Sequence, residues 1–175
     1  MSNNVKIKVR NLHKAFGQHQ VLKGIDLDIF QDSSMVIIGG SGTGKSVLIK
    51  TMIGLMSPDS GTIEFDGIET SKLSGKRKLL FLENCGFLFQ GGALFDSLSV
   101  QDNITFFAEK LQKMTKKQKL ELASEKLKSV GLENRILNLY PSELSGGMQK
   151  RVSLARAICT NPKVIFFDEP TTGLD

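Results

Sequence analysis

Tryptophan is absent from the chain, tyrosine occurs once, and cysteine and histidine occur twice each in 175 residues. Cys85 and Cys159 have no paired spacing and no histidine cluster beside them. That leaves no disulfide framework and no zinc-ligand pattern, and the expectation is two free thiols in a reducing compartment. Long apolar runs are missing too. The longest, Met35–Ile38 and Val164–Phe167, are strand-length, far short of the roughly 20 residues that a membrane-spanning helix needs. The first residues, Met1-Ser2-Asn3-Asn4, carry no apolar signal core, so the chain is expected to stay in the cytosol. There are no internal repeats and no low-complexity linkers.

What is present is ordinary for a globular domain: 40% apolar and 23% charged residues, on a chain long enough for a sizeable core. The net charge of +5 could favour nucleic acid or anionic lipid. Many of the lysines, however, fall between Lys110 and Lys128, mixed with Glu121 and Glu125. That pattern reads as a solvated helix face.

The chain alternates two textures. Val5–Val9 interleaves apolar residues with Lys6 and Lys8, a half-buried strand. Asn11 to Gln20 reads as a turn region, and Val21–Phe30 as an alternating strand. Met35–Ile38 is a continuous apolar run, predicted to be a buried parallel strand. Lys45 to Leu55 has helical spacing at Leu48, Met52 and Leu55. Ser57-Pro58-Asp59-Ser60-Gly61 is a turn before a strand at Thr62–Phe65. Cys85–Phe89 is another short strand. Gln101 to Leu139 then repeats apolar residues at helical period, as at Leu120, Ala123, Leu127 and Val130. A last helix is predicted over Ser145 to Thr160 and a last buried strand over Lys163–Phe167.

Gly39-Gly40-Ser41-Gly42-Thr43-Gly44-Lys45-Ser46 fits G-x-x-x-x-G-K-[ST], after a predicted strand and at the start of a predicted helix. Glycines let backbone N–H groups wrap phosphates without side-chain clashes, and the helix N-terminus adds partial positive charge. The Lys45 ammonium can reach the outer phosphates, and the Ser46 hydroxyl can ligate Mg²⁺. A glycine-rich strand–turn–helix without a ligand is the plainer reading, but it does not require four fixed positions in this context.

The second candidate is the apolar strand that ends in Asp168-Glu169-Pro170. Beside a P-loop, a carboxylate such as Asp168 can hold Mg²⁺ through water. Glu169 can polarise an attacking water as general base. Without the P-loop, the same residues read equally well as a surface turn.

Two further motifs resemble those of the ABC ATPase family. Leu144-Ser145-Gly146-Gly147-Met148-Gln149 resembles the signature L-S-G-G-Q, and stands upstream of Asp168-Glu169 as it does there. The resemblance implies that Ser145, Gly146 and Gly147 open a helix that faces the γ-phosphate bound by a second subunit. Backbone N–H groups at a helix start suit an anion. Gln90 resembles the family's Q-loop glutamine, which contacts Mg²⁺ and the attacking water. Phe16 matches the aromatic residue that stacks on adenine, and Thr172-Gly173-Leu174-Asp175 resembles the D-loop. The matches run from Phe16 to Asp175. They imply an α/β fold: a P-loop NTPase core with a mostly parallel sheet, an N-terminal antiparallel β part over 1–34 and an inserted helical subdomain over about 91–145, all in one ABC ATPase domain over 1–175.

Met148 in place of the commoner glutamine, with the wording of Gly39–Leu48 and Phe89–Leu98, is similar to the Mla-type, MCE-linked lipid transporter ATPases of Gram-negative bacteria and their plastid relatives. This resemblance implies ATP and Mg²⁺ as cofactors, a homodimer that closes on ATP, an integral-membrane permease and an MCE-type lipid-binding protein as partners, and no nucleic acid. It implies phospholipid transport, and a cytoplasmic position peripheral to the inner face of the cell (inner) membrane. The segment after Gln90, Gly91 to Leu98, is where such ATPases touch the permease. Family members carry a switch histidine some way past the D-loop. His13 and His19 cannot align with it, so the chain is expected to be either a fragment, truncated at its C-terminus, or a shortened form. Two other readings stay open: an ABC ATPase acting on nucleic acid or ribosomes, against which the short interval from Gln90 to Ser145 leaves no room for a coiled-coil arm, and a non-catalytic nucleotide-binding module.

Overall fold

A computed structural model of the chain describes residues 4–89 and 91–168. They form two compact units, one running to Lys78 and one from Leu79 onward.

The first unit is built on an antiparallel sheet of four strands in the order β2-β1-β3-β4. These are β1 (Val5–Phe16), β2 (His19–Phe30), β3 (Ser60–Phe65) and β4 (Ile68–Glu69). Ile7, Val9, Leu12, Leu22, Ile63 and Phe65 turn inward and are buried, which is the alternation expected of a sheet with one dry face. The predicted turn over Asn11 to Gln20 shrinks to Gly17 and Gln18, because β1 and β2 pair all the way to Phe16↔His19. Polar residues such as Lys14 sit on a half-exposed sheet here, so their polarity does not mark a loop. A register shift between Val9 and Leu12 accommodates Asn11 at φ 46°. Opposite it, a Cβ on Gly61 would strike the backbone of Arg10 and Asn11.

Helix α1 spans Lys45–Met52 and packs against β2. It stops three residues earlier than its apolar spacing predicts. Gly54, at φ 72°, turns the chain away and its N–H bonds back to Thr51, while Leu55 lies 61% exposed. The apolar run Met35–Ile38 is not a strand. It has no regular secondary structure, with Val36 80% and Ile38 92% exposed. Apolar character suits a strand covered on both faces, yet a strand also needs hydrogen-bonding neighbours, and no described strand pairs with this segment.

Helix α2 (Gly75–Glu83), to which the sequence pattern assigned nothing, contains the boundary between the units. In the second unit β5 (Cys85–Leu88) pairs in parallel with β6 (Val164–Phe167), with Cys85 opposite Val164 and Leu88 opposite Phe167. The rings of Phe87 and Phe166 stack at 5.5 Å across this pair. Three helices accompany it: α3 (Val100–Leu111), α4 (Lys116–Ser129) and α5 (Gly146–Ala157). Ser99 caps α3, Thr115 and Gln118 form a reciprocal capping box on α4, and Ser145 caps α5, each satisfying amide groups that a helix start leaves open. Val100, Ile104, Ala123, Leu127, Val152 and Ala155 form their shared core; of the face read in the sequence, Ala123 and Leu127 are buried and Val130 packs against them, whereas Leu120 is 48% exposed. Cys85 and Cys159 are buried and form no disulfide. No helix among the described residues is long and apolar enough to cross a membrane.

Candidate functional site

The glycine-rich loop Gly39–Gly44 runs into α1 at Lys45. Two of its glycines hold backbone that other residues rarely adopt: Gly42 at φ 75° and Gly44 at φ 97°. At Gly44 space is limiting as well, since a Cβ there would lie 2.7 Å from Val21 Cγ1. Gly44 therefore sits hard against β2, in the hairpin that turns after Phe16. No side chain caps α1, so its first turn offers amide donors and the positive end of the helix dipole to an anion. Within the loop the Thr43 hydroxyl donates to the Gly40 carbonyl at 2.9 Å. Lys45 Nζ donates to the carbonyls of Gly39 and Gly40, each at 2.7 Å. Gly39, Gly40, Ser41, Gly42 and Thr43 are exposed, and Gly44, Lys45 and Ser46 are half-buried.

Phe16 closes β1 and is 49% exposed, leaving ring surface for stacking on a flat ligand. Lys14 Nζ lies 5.8 Å from its centroid and is itself held by Asp59 at 2.8 Å. Asp59 also accepts the Ala15 N–H at 2.6 Å. The bond from Lys14 and then that from Ala15 hold the Asp59 carboxyl below its usual range. These contacts brace the end of the hairpin.

In the second unit Ser145 is the N-cap of α5, with its hydroxyl accepting from the Met148 amide at 3.3 Å. Ser145, Gly146 and Gly147 are exposed, and a Cβ at either glycine would meet nothing within 4 Å. The glycines are thus not demanded by packing inside the unit, and they leave the helix start bare for a ligand or a partner surface. Met148 turns the other way, against the core of the three helices. Gln149 ties the helix to the preceding turn through the Pro141 carbonyl at 2.8 Å. Asp168 follows β6 and is 7% exposed. Its N–H continues the parallel ladder by donating to Leu88 at 2.9 Å, which fixes where the strand ends. Gln90, Glu169 and the D-loop segment Thr172–Asp175 lie outside the described residues.

Ser46, in the first unit, and Asp168, in the second, each carry a hard oxygen donor, the class that Mg²⁺ prefers. Among the described residues no group of three or more His, Cys, Asp or Glu could by itself hold a metal ion.

The sequence reading missed the residues that hold the segment following Gln90. Gly91, Gly92 and Ala93 have positive φ values of 72°, 80° and 45°. Asn103, fully buried on α3, accepts the Phe95 N–H at 2.8 Å and donates to the carbonyls of Phe95, Leu98 and Ser99. Arg156, on α5, donates to the Gly92 carbonyl at 2.8 Å. The signal available was a lone asparagine inside an apolar helix face, which must satisfy its amide somewhere when buried.

The ABC transporter family model matches residues 22–172. The chain is 41% identical over 180 residues to the chloroplastic protein TRIGALACTOSYLDIACYLGLYCEROL 3 of Arabidopsis thaliana, covering 99% of this chain and 52% of that protein. It is 42% identical over 178 residues to a protein of Mycobacterium leprae named as a probable ribonucleotide transport ATP-binding protein, mkl, covering 100% of this chain and 50% of that one. The chain thus spans about half the length of these two relatives. Among solved structures, the dimeric post-hydrolysis state of the ATP-binding cassette MJ0796 bound to ADP and Pi matches with a TM-score of 0.87 and 32% identity, over 97% of this chain and 76% of that one.

Proposed function

This chain belongs to the ABC transporter family, with the P-loop NTPase fold of ATP-binding cassettes, and we propose from that premise that it is the ATP-binding and ATP-hydrolysing part of a transporter that moves phospholipid between membranes. The observation that carries the reading is a pair of glycine-opened helix starts on one chain: the uncapped α1 behind Gly39–Gly44 and the uncrowded α5 behind Ser145–Gly147. Each suits a polyphosphate, and two copies arranged head to tail would place one of each on either side of a nucleotide.

In this reading the backbone amides of Gly39 to Ser46 cradle the phosphates. Lys45 leaves the Gly39 and Gly40 carbonyls for the outer phosphates, trading two neutral acceptors for a charged one. Phe16 stacks on adenine. Ser46, Asp168 and Gln90 hold Mg²⁺, which supplies charge neutralisation of the phosphates when bound. Glu169 accepts the proton of the attacking water, and Gln90 orients that water. Ser145, Gly146 and Gly147 of a second copy bind the γ-phosphate from the far side, so the closed dimer alone makes both sets of contacts and binding energy becomes movement.

The transported substrate is the finer part of the proposal. The similarity of Gly39–Leu48, Phe89–Leu98 and Met148 to MCE-linked ATPases supports a lipid, as does a relative that carries the name of a galactolipid. The proposed partners are a second copy, an integral-membrane permease and an MCE-type lipid-binding protein, with no nucleic acid. The proposed place is the cytoplasmic side of the inner membrane, held there peripherally by the permease. The proposed domain is one ATPase cassette over 1–175, its β part at 1–34 and its helical part at about 91–145.

The test uses the full-length protein with its permease in phospholipid vesicles. Glu169→Gln is expected to bind ATP and dimerise on it while losing turnover, and wild-type protein is expected to move fluorescent phospholipid only with ATP present. Turnover that survives Glu169→Gln would overturn the hydrolytic role. ATP-driven movement of a nucleotide or amino acid but no phospholipid would overturn the lipid assignment and leave the ATPase standing.

A further inference from the structure

Arg156 occupies an unusual position for a cation. It lies in the last turn of α5, and its guanidinium is largely desolvated, which pushes its pKa down. Among the described residues it forms no ion pair. Its Nη2 donates to the Gly92 carbonyl at 2.8 Å, and its Cζ lies 5.5 Å from the centroid of Phe95. A desolvated cation costs stability unless hydrogen bonds and ring faces compensate it. A neutral side chain such as leucine would fill the same space without that cost, so packing alone does not account for an arginine here.

Both contacts fall on the segment that follows Gln90. A third contact reinforces them: a Cβ on Gly92 would lie 2.6 Å from Ser153 Oγ, also on α5. Ser153 is fully buried and turned onto its own helix through the Gln149 carbonyl at 2.9 Å. Gly92 is therefore pressed onto α5 with no slack, in a backbone conformation at φ 80° that other residues rarely adopt. On its other flank the segment is stapled to α3 by Asn103.

The same helix that grips Gly92 at one end carries Ser145, Gly146 and Gly147 at the other. Ten residues separate Gly146 from Arg156 along α5, roughly 15 Å at the rise of an α-helix. A helix of this length moves as a stiff rod. We propose that Arg156 is a positioning residue that clamps the segment after Gln90 to α5, so that displacement of Gly91–Leu98 is passed along α5 to its Ser145–Gly147 start. The proposal rests on the ATPase reading above. It adds the physical link by which whatever presses on Gly91–Leu98 sets the γ-phosphate-facing end of the helix.

The experiment compares wild type, Arg156→Ala and Arg156→Lys in the full-length protein, by ATPase kinetics, thermal unfolding and amide hydrogen exchange. Arg156→Ala is expected to lower kcat roughly tenfold with the KM for ATP unchanged. It should speed exchange of the amides of Gly91–Leu98, leave that of β1 and β3 alone, and shift the unfolding midpoint little. Arg156→Lys keeps a donor for the Gly92 carbonyl and should recover part of the loss. If Arg156→Ala fails to fold, the lysine variant carries the same exchange and kinetic comparison. Unchanged exchange at Gly91–Leu98, or a fall in kcat and unfolding midpoint together with no recovery by lysine, would overturn the proposal. A wild-type protein without turnover would instead overturn the ATPase reading, and hydrogen exchange would still decide whether the clamp exists.

Discussion

Lys45 Nζ donates to the Gly39 carbonyl at 2.7 Å, so the lysine expected to hold phosphate closes over the loop that would receive it. Its second bond, to Gly40, leaves one of its three donors outside the ring. Phosphate binding must open these bonds. Lys45→Ala is expected to weaken ATP binding by about 100-fold. Two lost charge-assisted bonds of roughly 1.5 kcal/mol each give about 3 kcal/mol. The unfolding midpoint without nucleotide should move by no more than about 1 °C, because surface bonds of this kind add little stability. Titration calorimetry and a melt on the same samples check both, and undiminished affinity would remove Lys45 from the site.

Gly44 and Gly42 separate two costs in the same loop. Both have positive φ, but a Cβ on Gly42 meets nothing within 4 Å, whereas one on Gly44 lies 2.7 Å from Val21 Cγ1. Gly42→Ala is expected to cost about 1 kcal/mol from backbone conformation alone. Gly44→Ala should cost roughly 1 kcal/mol more, or about 2–4 °C further in the midpoint for a domain of this size. Equal losses in thermal melts would show that the seat of the loop against β2 does not matter.

Asp102 and Lys119 set an acid limb on stability. Asp102 Oδ1 accepts from Lys119 at 2.8 Å and its Oδ2 from the Ser99 hydroxyl at 2.7 Å. The bond from Lys119 first, and that from Ser99 next, lower the Asp102 pKa, while the bond to Asp102 raises that of Lys119. A carboxyl whose folded pKa is depressed contributes stability that is complete above its unfolded pKa, about 4, and lost as pH falls through the folded value. The raised lysine contributes below its unfolded pKa, about 10.4, and loses that share as pH rises through its folded value. Denaturant titrations at intervals from pH 7 down to 2 should show wild type converging on Asp102→Asn as the pH falls below about 4. A constant gap between them over that range would exclude the ion pair as its source.

The glycine pattern at Gly39–Gly44 and the helix start at Ser145 were legible because each states its own local need. A positive φ favours glycine, and an open helix start favours a short hydroxyl side chain. The helical period around Ala123 and Leu127 was legible for the same reason, since the apolar face is written at fixed intervals. Three features were not. The length of β1 was hidden because polar residues on a half-exposed sheet resemble a loop. Helix α2 was hidden by its weak pattern, in which Leu79 and Leu80 are exposed and only Phe81 is buried. The coil at Met35–Ile38 departed from an apolar run that looked like a strand.

The chain by itself determined which residue types can meet a phosphate, where the helices after Gly44 and Ser145 begin, and which faces must be dry around Ala123 and Leu127, because these follow from backbone conformation, charge and period over a few residues. Only the tertiary structure decided that Gly44 has no room beside Val21, that Asn103 closes the loop before it, and that Arg156 reaches the Gly92 carbonyl from 64 residues away. Those facts depend on which distant segments pack together, and packing is settled by shape, shared hydrogen bonds and excluded water across the whole unit rather than by any local rule.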